Sequence, residues 1–341
     1  MVEKDDVPLL PTVGILYNIK HPGTDEVRDA QAEYDSMDTV LAIRRALESG
    51  GYRTVLLEED RELPQKLAET PVDIVFNIAE GLRGRGREAE APGLLNLLGI
   101  PFTGSDETAL GVALDKALSK RLAAALGVPT PAFAVTADPA DPALDALPLP
   151  VIVKPNAEGS SKGIPDACVA SDREELHALV RRNLKLYGGE MLAEEYVSGR
   201  EFTVGILGNG PQTRVFPPME ILFRRDTHGS YRVYSFDVKQ NYKQFVDYRC
   251  PAELTAEQDA RMRDLALSMY RALGCRDFAR VDFRMDGAGR MFFIEINPLP
   301  GLAPGYSDYP MLAEMCGVPY DELVLSVLRA ALERLPEVTR K

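Results

Sequence analysis

Three oxygen-bearing side chains share one face of a β-hairpin that the sequence predicts within residues 279–301. Two runs rich in β-branched and aromatic residues flank the turn sequence DGAG. Because side chains alternate along a strand, Asp282, Glu295 and Asn297 fall beside Arg280 if the two strands pair. Oxygen ligands next to a cation suit Mg²⁺ bound to a polyphosphate, although the solvated face of a hairpin shows the same pattern.

Strict alternation has a second consequence for the later strand of this hairpin. It predicts that Phe293 shares a face with Glu295 and Asn297, while Phe292, Ile294 and Ile296 share the other.

A second chemical motif is the segment VIVKPNAEGSSKGI at residues 151–164. It is an apolar strand that ends in Lys154 and runs into a loop rich in glycine and serine. Backbone N–H groups and hydroxyls of such a loop can surround phosphate oxygens, and the lysine adds a fixed positive charge. Such loops are also ordinary turns, and the nucleotide-binding pattern GxxxxGK[ST] is absent.

Strands alternating with helices precede both motifs. Residues 12–105 predict the order β-α-β-β-α-β, with a helix over 38–51 whose apolar residues recur at helical spacing. This alternation predicts a parallel sheet with helices on its faces. Ligands bind such sheets at the carboxyl ends of the strands, so we expect residues 22–37 and 79–88 near a ligand.

Composition narrows the class of protein. A chain of 341 residues suits two or three domains, and a hydrophobic content of 45% supports full cores. The net charge of −13 argues against a nucleic-acid partner. The four cysteines show no metal-binding spacing, and neither a signal peptide nor an apolar run of membrane-spanning length is evident, so we expect no membrane partner and a cytoplasmic location.

Read together, the motifs resemble those of a known family. KPNAEGSSKG resembles the phosphate loop of D-alanine–D-alanine ligases, and RVDF…IEINPLPG resembles their magnesium segment. IPFTGS (100–105), LDKALSK (114–120) and LAEEYVSGREFTVGIL (192–207) continue the resemblance in the family's order. It implies an ATP-grasp fold, α/β in an N-terminal parallel-sheet domain and α+β in the ATP-grasp part. The three expected domains are residues 1–105, 106–200 and 201–341.

The resemblance also implies which residues bind ATP. Lysines would contact the phosphates, loop residues would surround them, and hinge residues would hold adenine and ribose. These residues are Lys116, Lys154 and Lys239; Glu158, Gly159 and Ser161; and Glu194, Tyr196, Val197 and Glu201. Tyr196 would either stack on the base or fill the core.

Catalytic roles follow from the same resemblance. Ser160 would orient the donor, and Arg280 with the backbone N–H of Gly301 would stabilise an oxyanion. Asp282, Glu295 and Asn297 would hold Mg²⁺, with two ions expected and Mn²⁺ an acceptable substitute.

The substrate residues depart from the family pattern. Where the family carries histidine, this chain has Glu80, followed by Arg83, Arg85 and Arg87. Arginine suits bidentate carboxylate binding, so we expect Arg87 to contact a substrate carboxylate, although a solvated basic loop explains it equally well.

Further departures lie at Gln240, where the family has tyrosine, and at Asp308, where it has an apolar residue. Asp308 would either attract a substrate amine or cap the helix at 310–316. Ser307 matches a serine that binds the acceptor carboxylate. Glu33 and Asp35 are candidates for the group that holds the donor amine, with helix capping as their alternative role.

These observations predict an ATP-dependent carboxylate–amine ligase that works through an acyl phosphate. We expect small-molecule carboxylate and amine substrates and a specialised pair outside cell-wall synthesis, and the resemblance implies a homodimer. Two alternatives remain: a D-alanine–D-alanine ligase of peptidoglycan synthesis, and a nucleotide-binding protein without ligase activity. The donor, the acceptor and their chirality are not set by the sequence.

Overall fold

A computed structural model describes residues 10–20, 34–159, 168–224, 231–336 and 338. The candidates Glu33, Ser160 and Ser161 lie outside these residues. Within them, the strands form three sheets that follow one another along the chain. No helix in the described ranges has both the length and the hydropathy needed to cross a membrane.

The first sheet is parallel and has the strand order β2-β1-β3. Its elements are β1 (Thr12–Tyr17), α1 (Met37–Ser49), β2 (Arg53–Glu58), α2 (Leu63–Glu69), β3 (Ile74–Ile78) and α3 (Glu90–Leu98). The parallel sheet and the first helix confirm the prediction. The predicted order β-α-β-β-α-β was wrong in two places: α2 separates β2 from β3, and Phe102 forms an isolated bridge to Val75 rather than a strand.

The second sheet is antiparallel, with the order β4-β7-β5-β6. Its elements are α4 (Glu107–Leu114), α5 (Lys116–Ala125), β4 (Phe133–Thr136), β5 (Val151–Pro155), β6 (Val169–Ala170), α6 (Arg173–Tyr187) and β7 (Met191–Glu195). Asp115 caps α5 by accepting a hydrogen bond from the Leu118 N–H, and it also accepts one from the Asn156 amide. The first residue of α5, Lys116, is thereby held against the loop that follows β5.

The third sheet has the order β11-β10-β8-β12-β13, with β9 paired to β8. Its strands are β8 (Gly199–Leu207), β9 (Arg214–Val215), β10 (Met219–Phe223), β11 (Val246–Arg249), β12 (Phe278–Asp286) and β13 (Met291–Asn297). Its helices are α7 (Phe236–Gln240), α8 (Tyr242–Phe245), α9 (Ala256–Ala272), α10 (Asp308–Met315) and α11 (Tyr320–Arg334). The predicted boundary between residues 200 and 201 falls inside β8, and the division into three domains stays a prediction.

Hydrophobic cores hold these sheets in place. The apolar stripe of α9 packs on one face of the third sheet, because Met262, Leu265 and Met269 are buried in one cluster with Val281 and Phe283. The packing leaves the opposite face of β12 available for polar groups.

A bulge in β13 corrects the predicted facing of its side chains. Asp282 lies opposite Glu295, but the next residue, Phe283, lies opposite Phe293, so Ile294 is an extra residue. Phe293 is therefore buried in the same core as Phe283, not on the face of Glu295. The assumption of strict alternation was wrong because a bulge reverses the facing of every residue beyond it.

Candidate active site

Two cavities meet at the end of β12. The hinge cavity lies between the second and third sheets and is lined on one side by Lys154 and by the segment 194–197, which begins in the last residues of β7. The polar cavity is lined by residues of the first sheet's connections and by the segment 301–308. Lys239, Arg280 and Asp308 line both cavities, so a ligand in one cavity can react with a ligand in the other.

The hairpin brings the candidate metal ligands together. Asp282 lies directly opposite Glu295, and Asn297 lies opposite Arg280. The Thr203 hydroxyl donates to Asp282 Oδ1 at 2.7 Å and so fixes that carboxylate. Among the described residues, no group of three or more His, Cys, Asp or Glu side chains could hold a metal by itself. Two carboxylates and an amide fit Mg²⁺ that completes its coordination with phosphate oxygens.

Arg280 is held by carboxylates on both sides. Its Nε donates to Asp282 Oδ1 at 3.0 Å, and its Nη1 donates to Asp308 Oδ2 at 3.4 Å. Burial opposes its charge, but Asp282, Asp308 and Glu295 outweigh burial and hold the pKa of Arg280 above its ordinary value. Arg280 thus remains a cation where the two cavities meet.

The position of Asp308 bears on its two expected roles, attraction of a substrate amine or capping of the helix. It is the first residue of α10 and is almost fully buried, 3% exposed. Its carboxylate accepts hydrogen bonds from the Tyr234 hydroxyl at 3.1 Å and from Arg280, and Ser307 is the N-cap residue. The helix-capping role for Asp308 was therefore wrong, because its side chain points into the site.

A buried lysine–glutamate cluster closes one end of the hinge cavity. Glu194 Oε1 lies 2.6 Å from Lys154 Nζ, and Oε2 lies 2.7 Å from Lys120 Nζ. Burial opposes ionisation of Glu194, but Lys120 and Lys154 lower the pKa of its carboxyl to about 2. Burial lowers the pKa of Lys120 to about 8 despite Glu194. Oε2 lacks an aligned hydrogen bond, so the expected contact of Glu194 with an adenine amino group stays a prediction.

The hinge residues line the same cavity. The Tyr196 ring packs against the Arg284 guanidinium at 4.8 Å, and its hydroxyl donates to the Arg232 carbonyl at 2.8 Å. Arg284 Nη2 lies 3.4 Å from Glu201 Oε2, and burial raises the pKa of Glu201. Tyr196, Val197 and Glu201 all line the cavity, and their expected contacts with adenine and ribose stay predictions.

Two lysines reach the expected phosphate position from different elements. Lys116 Nζ lies 3.5 Å from Glu295 Oε2 and donates to the Glu158 carbonyl. Burial opposes the ionisation of Glu295, but Lys116, Lys154 and Arg280 lower the pKa of its carboxyl to about 2. Lys239 lines both cavities, and burial lowers its pKa although Asp308 opposes the change.

The loop that carries Arg83, Arg85 and Arg87 contacts the segment 155–158 that ends and follows β5, and these arginines do not line the polar cavity. Arg87 donates to the Ala157 carbonyl at 2.9 Å and to Glu158 Oε2 at 3.0 Å. Gly81 lies against the Arg87 carbonyl so closely that a Cβ there would collide with it. Arg83, Arg85 and Arg87 line a third cavity with residues 155–158. The expected contact of Arg87 with a substrate carboxylate stays a prediction.

The polar cavity collects the remaining substrate candidates. Asp35, Glu80, Gln240, Gly301 and Ser307 line it together. Burial raises the pKa of Asp35 to about 6. A Cβ on Gly301 would lie 2.9 Å from Ser307 Oγ, so a side chain there would require Ser307 to shift. The Gln240 amide donates to the Tyr306 hydroxyl at 2.9 Å.

Three residues of the site were missed in the sequence. Lys120 lies one helical turn after Lys116 in the same motif, a spacing that could have identified it. Arg284 shares a strand face with Arg280 and Asp282, which could also have identified it. For Tyr234 the sequence carried no signal.

Comparison with known proteins decides the family. A family model described as the D-Ala-D-Ala ligase C-terminus matches residues 122–329. The chain belongs to the D-Ala-D-Ala ligase family. A D-alanine–D-alanine ligase of Bordetella petrii is 35% identical over 96% of this chain and 94% of its own. An uncharacterised protein, y4sG, of Sinorhizobium fredii is 34% identical over 87% of each chain.

Solved structures support the fold. The crystal structure of a D-alanine–D-alanine ligase from Bacillus anthracis, complexed with ATP, matches with a TM-score of 0.74 and 24% identity, over 96% of this chain and 99% of that one. The chain therefore has the ATP-grasp fold of its family, with mixed helices and sheets, and is an ATP-dependent carbon–nitrogen ligase.

The range matched by the family model divides the site residues into two groups. The matched range contains the hairpin carboxylates, Arg280 and the segment with Ser307 and Asp308. Asp35, Glu80, Arg87 and Lys116 precede it. The family model therefore does not cover the residues that line the polar cavity from the side of the first sheet.

Proposed function

We propose that this carboxylate–amine ligase joins a specialised pair of substrates rather than two molecules of D-alanine. The lining of the polar cavity carries this proposal. Among its described lining residues, Ala303 and Pro304 are the aliphatic side chains, whereas acidic, basic and amide groups make up most of the rest: Lys20, Asp35, Asp38, Glu80, Lys239, Gln240, Arg280, Asn297 and Asp308. A methyl side chain gains little from polar neighbours, while polar substrate groups can be paired there.

The mechanism requires ATP in the hinge cavity and the carboxylate donor in the polar cavity. The donor carboxylate attacks the γ-phosphate, which gives an acyl phosphate and ADP, and the amine then attacks the acyl carbon and releases phosphate. Lys116, Lys154 and Lys239 would offset the phosphate charge. Arg280 and the Gly301 N–H would stabilise the oxyanion of the tetrahedral intermediate. Catalysis then rests on positioning and charge, without a protein nucleophile.

Mg²⁺ would be held by Asp282, Glu295 and Asn297. When bound, it neutralises phosphate charge and orients the γ-phosphate. We propose two ions, with Mn²⁺ able to replace them, because ATP phosphates supply the ligands that the chain lacks. The homodimer stays a prediction.

D-alanine–D-alanine ligation is the second candidate. It is favoured by the names of the curated relatives and by the presence of Arg280 and Ser307 at the expected positions. Glu80, Gln240 and Asp308 oppose it, since each introduces polarity or charge where the resemblance leads one to expect histidine, tyrosine or an apolar residue.

Phosphate release from ATP and Mg²⁺ tests the proposal. The protein is assayed against a panel of D- and L-amino acids, singly and in pairs, and the products are identified by mass spectrometry. If D-alanine gives no phosphate release and another pair of substrates is turned over, the specialised ligase is supported. Efficient formation of D-alanyl-D-alanine establishes the second candidate and refutes the first.

A further inference from the structure

Asp308 is an acidic side chain placed where acyl transfer would occur. It lines the hinge cavity and the polar cavity at once and lies beside Arg280. The mechanism proposed above assigns it no role. Arg280 is its cationic partner, but the same guanidinium also pairs with Asp282, so a carboxylate beside the expected phosphates would be stabilised by a further positive charge.

The groups around Asp308 leave room for such a partner. Tyr234 donates to Oδ1, Arg280 donates to Oδ2, and the Tyr248 hydroxyl also hydrogen-bonds this carboxylate, whereas a carboxylate has about four acceptor positions. Lys239, Tyr306 and the carboxylate of Glu201 interact with it electrostatically. Asp282 and Glu295 share Arg280 with it. A substrate ammonium can therefore join this carboxylate without displacing its present partners.

Resting on the proposed ligase function, we propose that Asp308 binds the ammonium group of the acceptor and removes its proton before attack. The acceptor class is thus an amine that enters protonated, and its own carboxylate, if present, would lie at the adjacent Ser307. Asp308 is then a catalytic residue of the acyl-transfer step.

The proton and bond changes balance. The ammonium gives one proton to the Asp308 carboxylate, and the neutral nitrogen forms a bond to the acyl carbon. The tetrahedral intermediate collapses with cleavage of the carbon–oxygen bond to phosphate. The second nitrogen proton leaves with phosphate, and Asp308 returns its proton to solvent.

Hydroxylamine separates this role from a purely structural one. Its nitrogen is largely unprotonated at neutral pH, so it captures an acyl phosphate as a hydroxamate without needing a base. If Asp308 only orients Arg280, both reactions need it equally, because Arg280 faces the same oxyanion in each.

The experiment compares hydroxamate and amide formation by Asp308→Asn with those of the wild type. The donor is D-alanine or, if D-alanine gives no phosphate release, the donor with the greatest phosphate release in the panel. We expect amide formation to fall about 100-fold or more, the range of general-base catalysis, with hydroxamate formation close to the wild-type rate. Asp264→Asn is the matched control, because it makes the same chemical change at an exposed carboxylate of α9 that lines neither the hinge cavity nor the polar cavity; both its rates should stay unchanged.

Other outcomes overturn the inference. An equal loss of both products in Asp308→Asn would make Asp308 a positioning residue for Arg280. Unchanged amide formation would remove Asp308 from the reaction. A wild-type protein that forms no hydroxamate with any donor would refute the acyl-phosphate mechanism itself, which distinguishes failure of the proposed function from failure at Asp308.

Discussion

The Arg87 guanidinium and the Glu158 carboxylate form an ion pair of 3.0 Å between loops that are 71 positions apart. The side chain of Arg87 is 8% exposed, so this pair is shielded from solvent. It joins the first sheet to the end of the loop expected to surround the ATP phosphates. We therefore expect changes at Arg87 to affect ATP binding.

This pair predicts coupling between the two loops. We expect Arg87→Ala and Glu158→Ala each to raise the KM for ATP, and the double variant to be no worse than either, with a coupling of about 0.5–3 kcal/mol. Steady-state kinetics of the four proteins measures it. Additive effects, with Arg87→Ala raising only the KM of the carboxylate donor, would instead support direct substrate binding by Arg87.

We expect replacement of Arg280 to lower turnover without weakening the binding of ATP. Removing one oxyanion donor costs about 3–4 kcal/mol in the barrier, so Arg280→Ala should lower kcat by about 10²–10³-fold with little change in the KM for ATP. Initial-rate measurements at saturating ATP test this. Wild-type turnover in the variant would remove Arg280 from the oxyanion site.

Glu295 predicts altered dependence on the metal ion. Glu295→Gln keeps the side-chain shape but weakens a ligand, so more Mg²⁺ should be needed for half-maximal phosphate release. EDTA should abolish the activity of the wild type, and added Mg²⁺ should restore it. The control Glu314→Gln makes the same chemical change at an exposed residue of α10. Identical Mg²⁺ titrations for both variants would count against Glu295 as a ligand.

We expect Glu59 to make the free energy of unfolding depend on pH. Burial, with a smaller contribution from Glu90, raises the pKa of its carboxyl to about 7, although the Gly81 N–H donates to Oε2 at 3.0 Å. Because the folded state binds this proton more tightly than the unfolded state, the stabilisation is present at low pH and is lost as the pH rises through about 7. Glu59→Gln stays neutral, so its free energy of unfolding should fall less than that of the wild type over this range.

Denaturant unfolding at a series of pH values measures the difference. Glu62→Gln, an exposed glutamate three residues further on, serves as the control and should follow the wild type. Parallel curves for the wild type and Glu59→Gln would show that Glu59 does not titrate with folding.

Much of the architecture could be predicted from local patterns. The spacing of apolar residues identified α1, and the pairing of the hairpin followed from period-two alternation about the DGAG turn. That alternation failed at Ile294, because a bulge depends on how β12 and β13 meet their neighbours and leaves little signal in the strand itself.

The amino-acid sequence by itself determined the family, most of the elements and the chemical types of the site residues, because these depend on local periodicity and on motifs that are contiguous in the chain. Tertiary structure alone decided which charges meet. Glu194 lies between Lys120 and Lys154, and Asp308 turns toward Arg280 rather than capping its own helix. Such contacts join residues distant in sequence, and their energies depend on burial and distance, quantities that exist only once the sheets have packed.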